Sequence, residues 1–200
     1  MKKQVFVIHG GNAFETYEEY LEDLEKMVVN LDRLRRKDWK ATLQDKLGDG
    51  YEVLLPKMPN AQNARYAEWK IYFEKFLPLL DKDVIFIGHS LGGIFLAKYF
   101  SEEKCDKRIH TIMLVAAPYN TLLDHPLVDF NLSETLPLLK EQVQDIYIYH
   151  SQDDEVVPFS SFKRYQKELP DAHTRIFDDR GHFNQEDFAE MVFDITKLIV

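Results

Sequence analysis

The chain has 200 residues, which is long enough for one folded domain. Its hydrophobic share of 45% and aromatic share of 13% exclude a disordered chain. Its formal net charge of −9 argues against binding to nucleic acid or to an anionic membrane, because both need a basic surface. Cys105 is the single cysteine, which excludes an internal disulfide and a cysteine-based zinc site. The first apolar run, residues 5–8, is too short for a signal peptide core or a membrane span. We expect a cytoplasmic protein with no cofactor and no metal, whose oligomeric state the sequence does not define.

Six apolar runs predict β-strands. They are rich in Val, Ile, Phe and Tyr and mostly lack polar alternation, which is typical of parallel strands that are buried on both faces. Helical patterns separate them, so the sequence predicts an α/β fold with a parallel sheet and helices on both faces, in a single domain of residues 1–200. The predicted strands cover residues 4–8, 51–55, 84–87, 109–115, 145–149 and 174–177.

A charged helical insert separates the first two predicted strands. Thr16 and Glu19 have the spacing of a capping box, and apolar residues then recur at helical spacing as far as Leu34, which predicts one long helix. A second, short helix is predicted over residues 39–47. The insert, residues 14–50, is longer than a strand-to-helix connection needs. It could partly cover a functional site, or it could lie solvated at the flank of the sheet.

Helical patterns continue along the rest of the chain. Asn63 is the expected N-cap of the next helix, and later helices are predicted after Ser90, over residues 160–169 and over residues 185–200. The least regular segment, residues 118–137, follows a strand and is a candidate for a pocket wall. The helix after Asn63 carries an apolar and aromatic stripe that indicates core packing rather than a ligand site: Tyr66, Trp69, Phe73, Phe76, Leu77 and Leu80.

The most informative motif lies between the third predicted strand and a helix. Gly88 and Gly92 flank Ser90 in a Gly-x-Ser-x-Gly pattern, which in this context indicates a nucleophile elbow. Such a turn exposes the Ser90 hydroxyl at the end of the sheet. It also directs the N–H of Leu91 toward the same point, at a helix N-terminus that favours negative charge. Ser90 is therefore the candidate nucleophile, and Leu91 is one candidate oxyanion donor.

A serine nucleophile needs a base to accept its proton and a carboxylate to orient that base. After a nucleophile elbow these groups are expected in the order acid then histidine, in loops that follow later strands. Asp154 is favoured as the acid because of its spacing to Val157-Pro158, and Asp153 is the second choice. His182 follows a glycine in the turn before the last helix, so it is the candidate base.

A second oxyanion donor is expected in the glycine turn that follows the first strand. Gly11 is the first choice and Asn12 the reserve. Six other histidines fit the role of base less well, since they lie in the elbow, beside the first strand, at strand starts or outside a loop of the right order: His9, His89, His110, His125, His150 and His173.

Taken together, these motifs resemble the small single-domain α/β-hydrolases related to retinoblastoma-binding protein 9 and the YdeN-type proteins. The resemblance implies strand order 2-1-3-4-5-6, no separate lid domain, and serine-hydrolase activity through a triad of Ser90, Asp154 and His182. The insert of residues 14–50 departs from the family pattern. The matching segments span nearly the whole chain: His9-Gly10-Gly11-Asn12, Met58-Pro59-Asn60 with Ala64 and Trp69, Gly88-His89-Ser90, Asp154-x-x-Val157-Pro158 and Gly181-His182-Phe183.

The expected function is hydrolysis of small carboxylic esters, or related acyl compounds, through an acyl-enzyme on Ser90. The expected partner is therefore a small-molecule acyl substrate. A non-catalytic protein-binding module with the same fold is the alternative, because a fold alone does not determine function.

Overall fold

A computed structural model describes residues 2–105, 109–120 and 126–198. It contains one six-stranded sheet of order β2-β1-β3-β4-β5-β6 in which every neighbouring pair is parallel, so the predicted fold class and strand order are confirmed. All six predicted strands form, with ends shifted by at most two residues. The strands are β1 (Lys3–Ile8), β2 (Tyr51–Leu54), β3 (Ile85–His89), β4 (Ile109–Val115), β5 (Val143–Ser151) and β6 (His173–Phe177).

Helices cover both faces of this sheet. The core on one face includes buried residues of α4, α5, α6 and α7, and the core on the other includes those of α3 and α8. The described part of the chain contains no helix of the length and hydrophobicity that a membrane crossing requires. The helices are α1 (Tyr17–Lys26), α2 (Leu31–Arg35), α3 (Trp39–Leu47), α4 (Tyr66–Phe76), α5 (Leu91–Glu102), α6 (Pro137–Gln142), α7 (Phe159–Glu168) and α8 (Ala189–Lys197).

The central strands are buried on both faces. In β1, for example, Val5 and Val7 belong to one core while Phe6 and Ile8 belong to the other, and all four are almost completely buried. Successive side chains of a strand point to opposite faces, so a strand between two helical layers is apolar at every position. This is why the apolar runs identified the strands correctly.

The prediction of one long first helix is wrong. The Thr16 and Glu19 capping box is present, but α1 ends at Lys26 and Asn30 caps the separate helix α2 by accepting the N–H of Asp32 at 2.8 Å. Exposed β-branched residues at 28 and 29 lie in the break, where no packing offsets their poor helix propensity. None of the α1 residues is buried. The side chain of Leu34, with which the predicted apolar stripe ends, lies outside the described part of the chain.

The cap predicted for the fourth helix is also wrong. Asn63 ends a short 3-10 turn, and α4 begins only at Tyr66. The N–H of Tyr66 donates to the Asp129 carboxylate at 3.0 Å, so the cap comes from a distant segment. No sequence pattern indicates helix α6. The last helix begins at Ala189 rather than at residue 185, and residues 199–200 lie outside the described part.

Candidate active site

Ser90 occupies a tight turn between β3 and α5. Its backbone angles are φ 55° and ψ −122°, a strained left-handed conformation that residues other than glycine seldom adopt. The N–H of Ser90 donates to the Val115 carbonyl at 2.8 Å, which ties the turn to the end of β4. A Cβ on Gly92 would lie 2.6 Å from the His9 carbonyl oxygen, and one on Gly88 would lie 2.6 Å from the Gly92 carbonyl carbon. The turn therefore requires glycine on both sides of Ser90.

An open cavity of about 500 Å³ lies over Ser90, and Leu91, Gly11 and His182 also line it. It is at the carboxyl ends of the strands, where ligands bind in parallel α/β sheets. The described residues include no group of three or more His, Cys, Asp or Glu arranged to hold a metal ion. The apolar lining of the cavity includes Phe14, Pro118, Pro126, Leu127, Val156 and Val157. Its polar lining includes Asn12, Asp23, Asp38, Lys40, Gln62 and Asn184.

The imidazole of His182 contacts the carboxylate of Asp154. Nδ1 of His182 lies 2.9 Å from Oδ2 and 3.1 Å from Oδ1 of Asp154, whose side chain is completely buried. Oδ1 also accepts the N–H groups of Val156 and Val157, each at 2.9 Å. A carboxylate can only accept hydrogen bonds, so Nδ1 of His182 carries the ring proton that is donated to Asp154. Nε2 of His182 is then the ring nitrogen that can accept a proton.

The neighbouring Asp153 makes different contacts. Its exposed carboxylate accepts the Gly181 N–H at 2.9 Å and the Ser151 hydroxyl, and these hydrogen bonds, the one from Ser151 first, lower the pKa of Asp153. Asp153 thus fixes the backbone just before His182 but does not contact its ring. Of the two carboxylates left open by the sequence, Asp154 is the one that contacts the imidazole.

His150 is hydrogen-bonded to the loop that carries Asp154. It is buried, and its Nε2–H donates to the Val157 carbonyl at 2.9 Å, which connects the end of β5 to the turn that carries Asp154. Burial lowers the pKa of His150. His110 and His173 lie at the beginnings of β4 and β6, as expected, and His125 lies outside the described residues.

The glycine turn after β1 is held by His9. The N–H of Met58 donates to Nε2 of His9 at 2.9 Å, so Nδ1 carries the ring proton and donates to the Gly10 carbonyl at 2.6 Å. A Cβ on Gly10 would lie 3.1 Å from Cβ of Ser90. The turn therefore approaches the serine closely, and the Met58 segment is anchored beside it.

The two candidates for the second oxyanion donor differ in their contacts. The N–H of Asn12 donates to the Ala61 carbonyl at 2.9 Å, so this amide is already engaged. Gly11 lines the cavity, and a Cβ there would lie 2.5 Å from the same carbonyl oxygen. Gly11 remains the candidate for the second oxyanion donor. Asn12 is no longer an alternative, because its N–H already donates to Ala61.

His89, in the elbow itself, contacts the backbone of His182. It is buried, and its Nε2 lies 2.9 Å from the His182 carbonyl oxygen while Nδ1 lies 3.4 Å from Nζ of Lys40. An ammonium group can only donate, so Nδ1 accepts and Nε2–H donates to the carbonyl. Burial, and then the charge of Lys40, lower the pKa of His89 well below its ordinary value. Sequence reasoning missed Lys40, because no motif marks it.

The insert contributes to the cavity wall. Asp23 of α1 and Lys40 of α3 both line the cavity, together with Phe14 and Asp38. Helix α3 also packs into the core, whereas α1 keeps an exposed apolar side that includes Leu21. The insert thus lines the cavity through both helices while α1 stays exposed, so the two interpretations of residues 14–50 do not exclude each other.

The chain is similar to known proteins over most of its length. YdeN of Bacillus subtilis is 24% identical over 201 residues, which cover 98% of this chain and 95% of that protein. The serine hydrolase RBBP9 of Rattus norvegicus is 28% identical over 153 residues, which cover 75% of this chain and 79% of that protein.

Solved structures share the fold. The crystal structure of the B. subtilis ydeN gene product superposes with a TM-score of 0.79 at 21% identity and covers 99% of both chains. Est1E from Butyrivibrio proteoclasticus superposes with a TM-score of 0.60 at 13% identity, covering 99% of this chain and 87% of its own. The model of the family described as serine hydrolase matches residues 30–191, which is most of the chain. The protein therefore belongs to the serine hydrolase family.

Proposed function

We propose that this protein cleaves small carboxylic esters, or related acyl compounds, through an acyl-enzyme on Ser90. The observation that carries the proposal is the pair formed by His182 and the buried Asp154, which lies at the same cavity as the strained Ser90 turn. Membership of the serine hydrolase family supports hydrolase activity. The acyl-enzyme, the triad and the ester substrate are the proposed parts.

In the first step, Nε2 of His182 accepts the Ser90 proton as Oγ attacks the carbonyl carbon of the substrate. Asp154 stabilises the imidazolium that forms and keeps the proton of Nδ1 in place. The carbonyl oxygen becomes an oxyanion, which the N–H groups of Leu91 and Gly11 stabilise. Leu91 is the first residue of α5, where an N–H has no partner within the helix and the helix dipole favours negative charge.

Acylation is complete when the bond between the acyl carbon and the alcohol oxygen breaks. His182 gives its proton to the departing alkoxide, and the acyl group stays on Ser90. His182 then accepts a proton from water, whose oxygen attacks the acyl carbon. The bond between the acyl carbon and Oγ of Ser90 then breaks, His182 gives its proton to Oγ, and the carboxylic acid leaves. Each proton transfer thus passes through the same imidazole nitrogen.

The size and lining of the cavity favour a small acyl group. A volume of about 500 Å³ is in the range of pockets that bind small molecules, and its apolar residues, such as Leu127 and Val157, suit a short hydrocarbon chain. Esters are favoured over amides because an alkoxide leaves more easily than an amine anion.

The proposal is tested by steady-state hydrolysis of p-nitrophenyl acetate, butyrate and octanoate. We expect turnover of the shorter esters by the natural protein, loss of turnover in Ser90→Ala, and a fall of about 10³-fold or more in His182→Ala. Ser160→Ala, at an exposed position in α7, is the matched control and keeps full activity. Turnover that survives in Ser90→Ala, or no turnover by well-folded protein, would contradict the proposal, and the second result favours the binding module.

A further inference from the structure

The first turn of α3 is hydrogen-bonded to the segment that carries the proposed base, His182. The indole Nε1–H of Trp39 donates to the Phe183 carbonyl at 3.0 Å, and the backbone N–H of Trp39 donates to the Gln185 carbonyl at 2.8 Å. The hydroxyl of Thr42 donates to the Glu186 carbonyl at 2.8 Å. An element of the insert is thus bonded to three successive parts of the segment that follows His182.

A polar relay continues this contact to His182 itself. The Lys40 ammonium lies 2.5 Å from Oδ2 of Asp38 and 3.4 Å from Nδ1 of His89, and Nε2–H of His89 donates to the His182 carbonyl at 2.9 Å. The Lys40 side chain is only 9% exposed. Burial lowers the pKa of Lys40, and the hydrogen bond and charge of Asp38 oppose that shift.

Both neighbours of His89 in the relay, the Lys40 ammonium and the His182 carbonyl, favour the same tautomer of its ring. The ammonium can only donate, which makes Nδ1 of His89 an acceptor and places the ring proton on Nε2. With the proton on Nδ1 instead, a lone pair of Nε2 would face the lone pairs of the His182 carbonyl oxygen at 2.9 Å, which is repulsive. A buried ammonium is costly, and an apolar side chain could fill the same space without that cost. A lysine supplies at this position a hydrogen-bond donor that an apolar side chain would lack.

We propose that Lys40 is a positioning residue for the reaction. By holding His89 as the Nε2–H tautomer, it fixes the backbone of His182, so that the imidazole keeps its contact with Asp154 at the cavity that Ser90 also lines. The kinetic part of this inference rests on the proposed function. The tautomer of His89 can be measured without any substrate, so the two claims can fail separately.

The first measurement is the tautomer of His89, from ¹⁵N-resolved NMR of the imidazole nitrogens in the full chain. We expect the Nε2–H form in the natural protein and in Lys40→Arg, which keeps a donor, and a shift toward the Nδ1–H form in Lys40→Met. Lys46→Met is the matched control on the same helix, where Lys46 makes an exposed ion pair with Asp187. The same tautomer in the natural protein and in Lys40→Met would overturn the proposal.

The second measurement is ester turnover by the same variants. Because a misplacement of about 1 Å can cost about 10²-fold in rate, Lys40→Met should lose between about tenfold and 10²-fold in kcat with KM within about twofold. Lys40→Arg should recover most of this loss, and Lys46→Met should lose none. A kcat of Lys40→Met within about twofold of the natural protein contradicts the proposal.

A pair of His89 variants keeps the inference testable should Lys40→Met fail to fold. The amide nitrogen of Gln can replace Nε2 as donor to the His182 carbonyl, so His89→Gln should retain far more turnover than His89→Leu. Equal turnover of the two variants contradicts the relay. If the natural protein turns over no ester, the proposed function fails, and the tautomer measurement still decides whether the relay exists.

Discussion

At the scale of single residues, two adjacent carboxylates have different contacts. Asp154 is buried and contacts the His182 imidazole, whereas Asp153 is exposed and bonds the backbone N–H of Gly181. The loop between β5 and α7 therefore supplies both a partner for the ring and a hydrogen bond that holds the turn carrying it. This division makes the two positions a natural pair for mutation.

Asp154→Asn should lower kcat for ester hydrolysis by about 10³ to 10⁴-fold, because an amide cannot stabilise the imidazolium and can hold the wrong tautomer. Asp153→Asn should cost about tenfold or less, since it weakens only the bonds to Gly181 and Ser151. Steady-state kinetics with p-nitrophenyl butyrate measures both. A larger loss in Asp153→Asn than in Asp154→Asn would reverse the assignment of the two residues.

Sequence alone could indicate the candidate site residues that lie in local motifs. Ser90 follows from its glycines, and His182 from its place after the last strand, because these signals are contained in a few neighbouring positions. Lys40 and the Asp129 cap of α4 could not be predicted, since each acts across dozens of residues and no local pattern marks them. The sequence favours Asp154 over Asp153 only by its spacing to Val157-Pro158, and the contacts in the fold distinguish the two carboxylates.

At the scale of elements, the site depends on how closely α5 approaches β1. Gly92, in the first turn of α5, lies so near the end of β1 that a Cβ would collide with the carbonyls of Ile8 and His9. This contact places the start of α5 beside the glycine turn after β1. The candidate oxyanion donors of the two elements therefore line one cavity.

Gly92→Ala should destabilise the protein by about 3 kcal/mol or more, because the methyl group would have to displace two backbone carbonyls. Gly50→Ala should change the free energy of unfolding by no more than about 0.5 kcal/mol, since a Cβ there meets no atom within 4 Å. Urea unfolding followed by circular dichroism measures both values. Equal stability of the two variants would show that the approach of α5 to β1 is looser than described.

The elements that sequence predicted well are those whose burial is uniform. Strands β1, β3 and β4 are mostly apolar because helices cover both faces, and that pattern is visible locally. Helix α1 shows the opposite case: its apolar residues suggested a longer buried helix, yet none of them is buried. Without packing, the chain leaves the helical conformation at Met27, and a new cap at Asn30 starts the next helix.

At the scale of the whole molecule, buried histidines link stability to pH. His89 and His150 both support the loops around the site, and burial lowers the pKa of each below the ordinary value of 6.5. In the unfolded chain both would bind a proton near pH 6.5, while in the folded protein they stay neutral to lower pH. The unfolded state therefore binds more protons below that pH, and stability falls as the solution becomes more acidic.

The free energy of unfolding should thus fall between pH 6.5 and 5, by up to about 1.4 kcal/mol per pH unit for each of these two histidines. The variants His89→Gln and His150→Gln keep a donor but have no titrating ring, so each should show a shallower dependence. Lys46→Met should keep the natural slope. Urea unfolding at a series of pH values provides the data, and an unchanged slope in both glutamine variants would contradict the burial argument.

The central claim is that Ser90 is an activated nucleophile. The most direct measurement is intact mass after treatment with a fluorophosphonate, followed by peptide mapping. We expect one adduct, on Ser90, that is absent from Ser90→Ala, forms far more slowly in His182→Ala and forms normally in Ser160→Ala. No adduct on the folded natural protein, or an adduct on another serine, would contradict it.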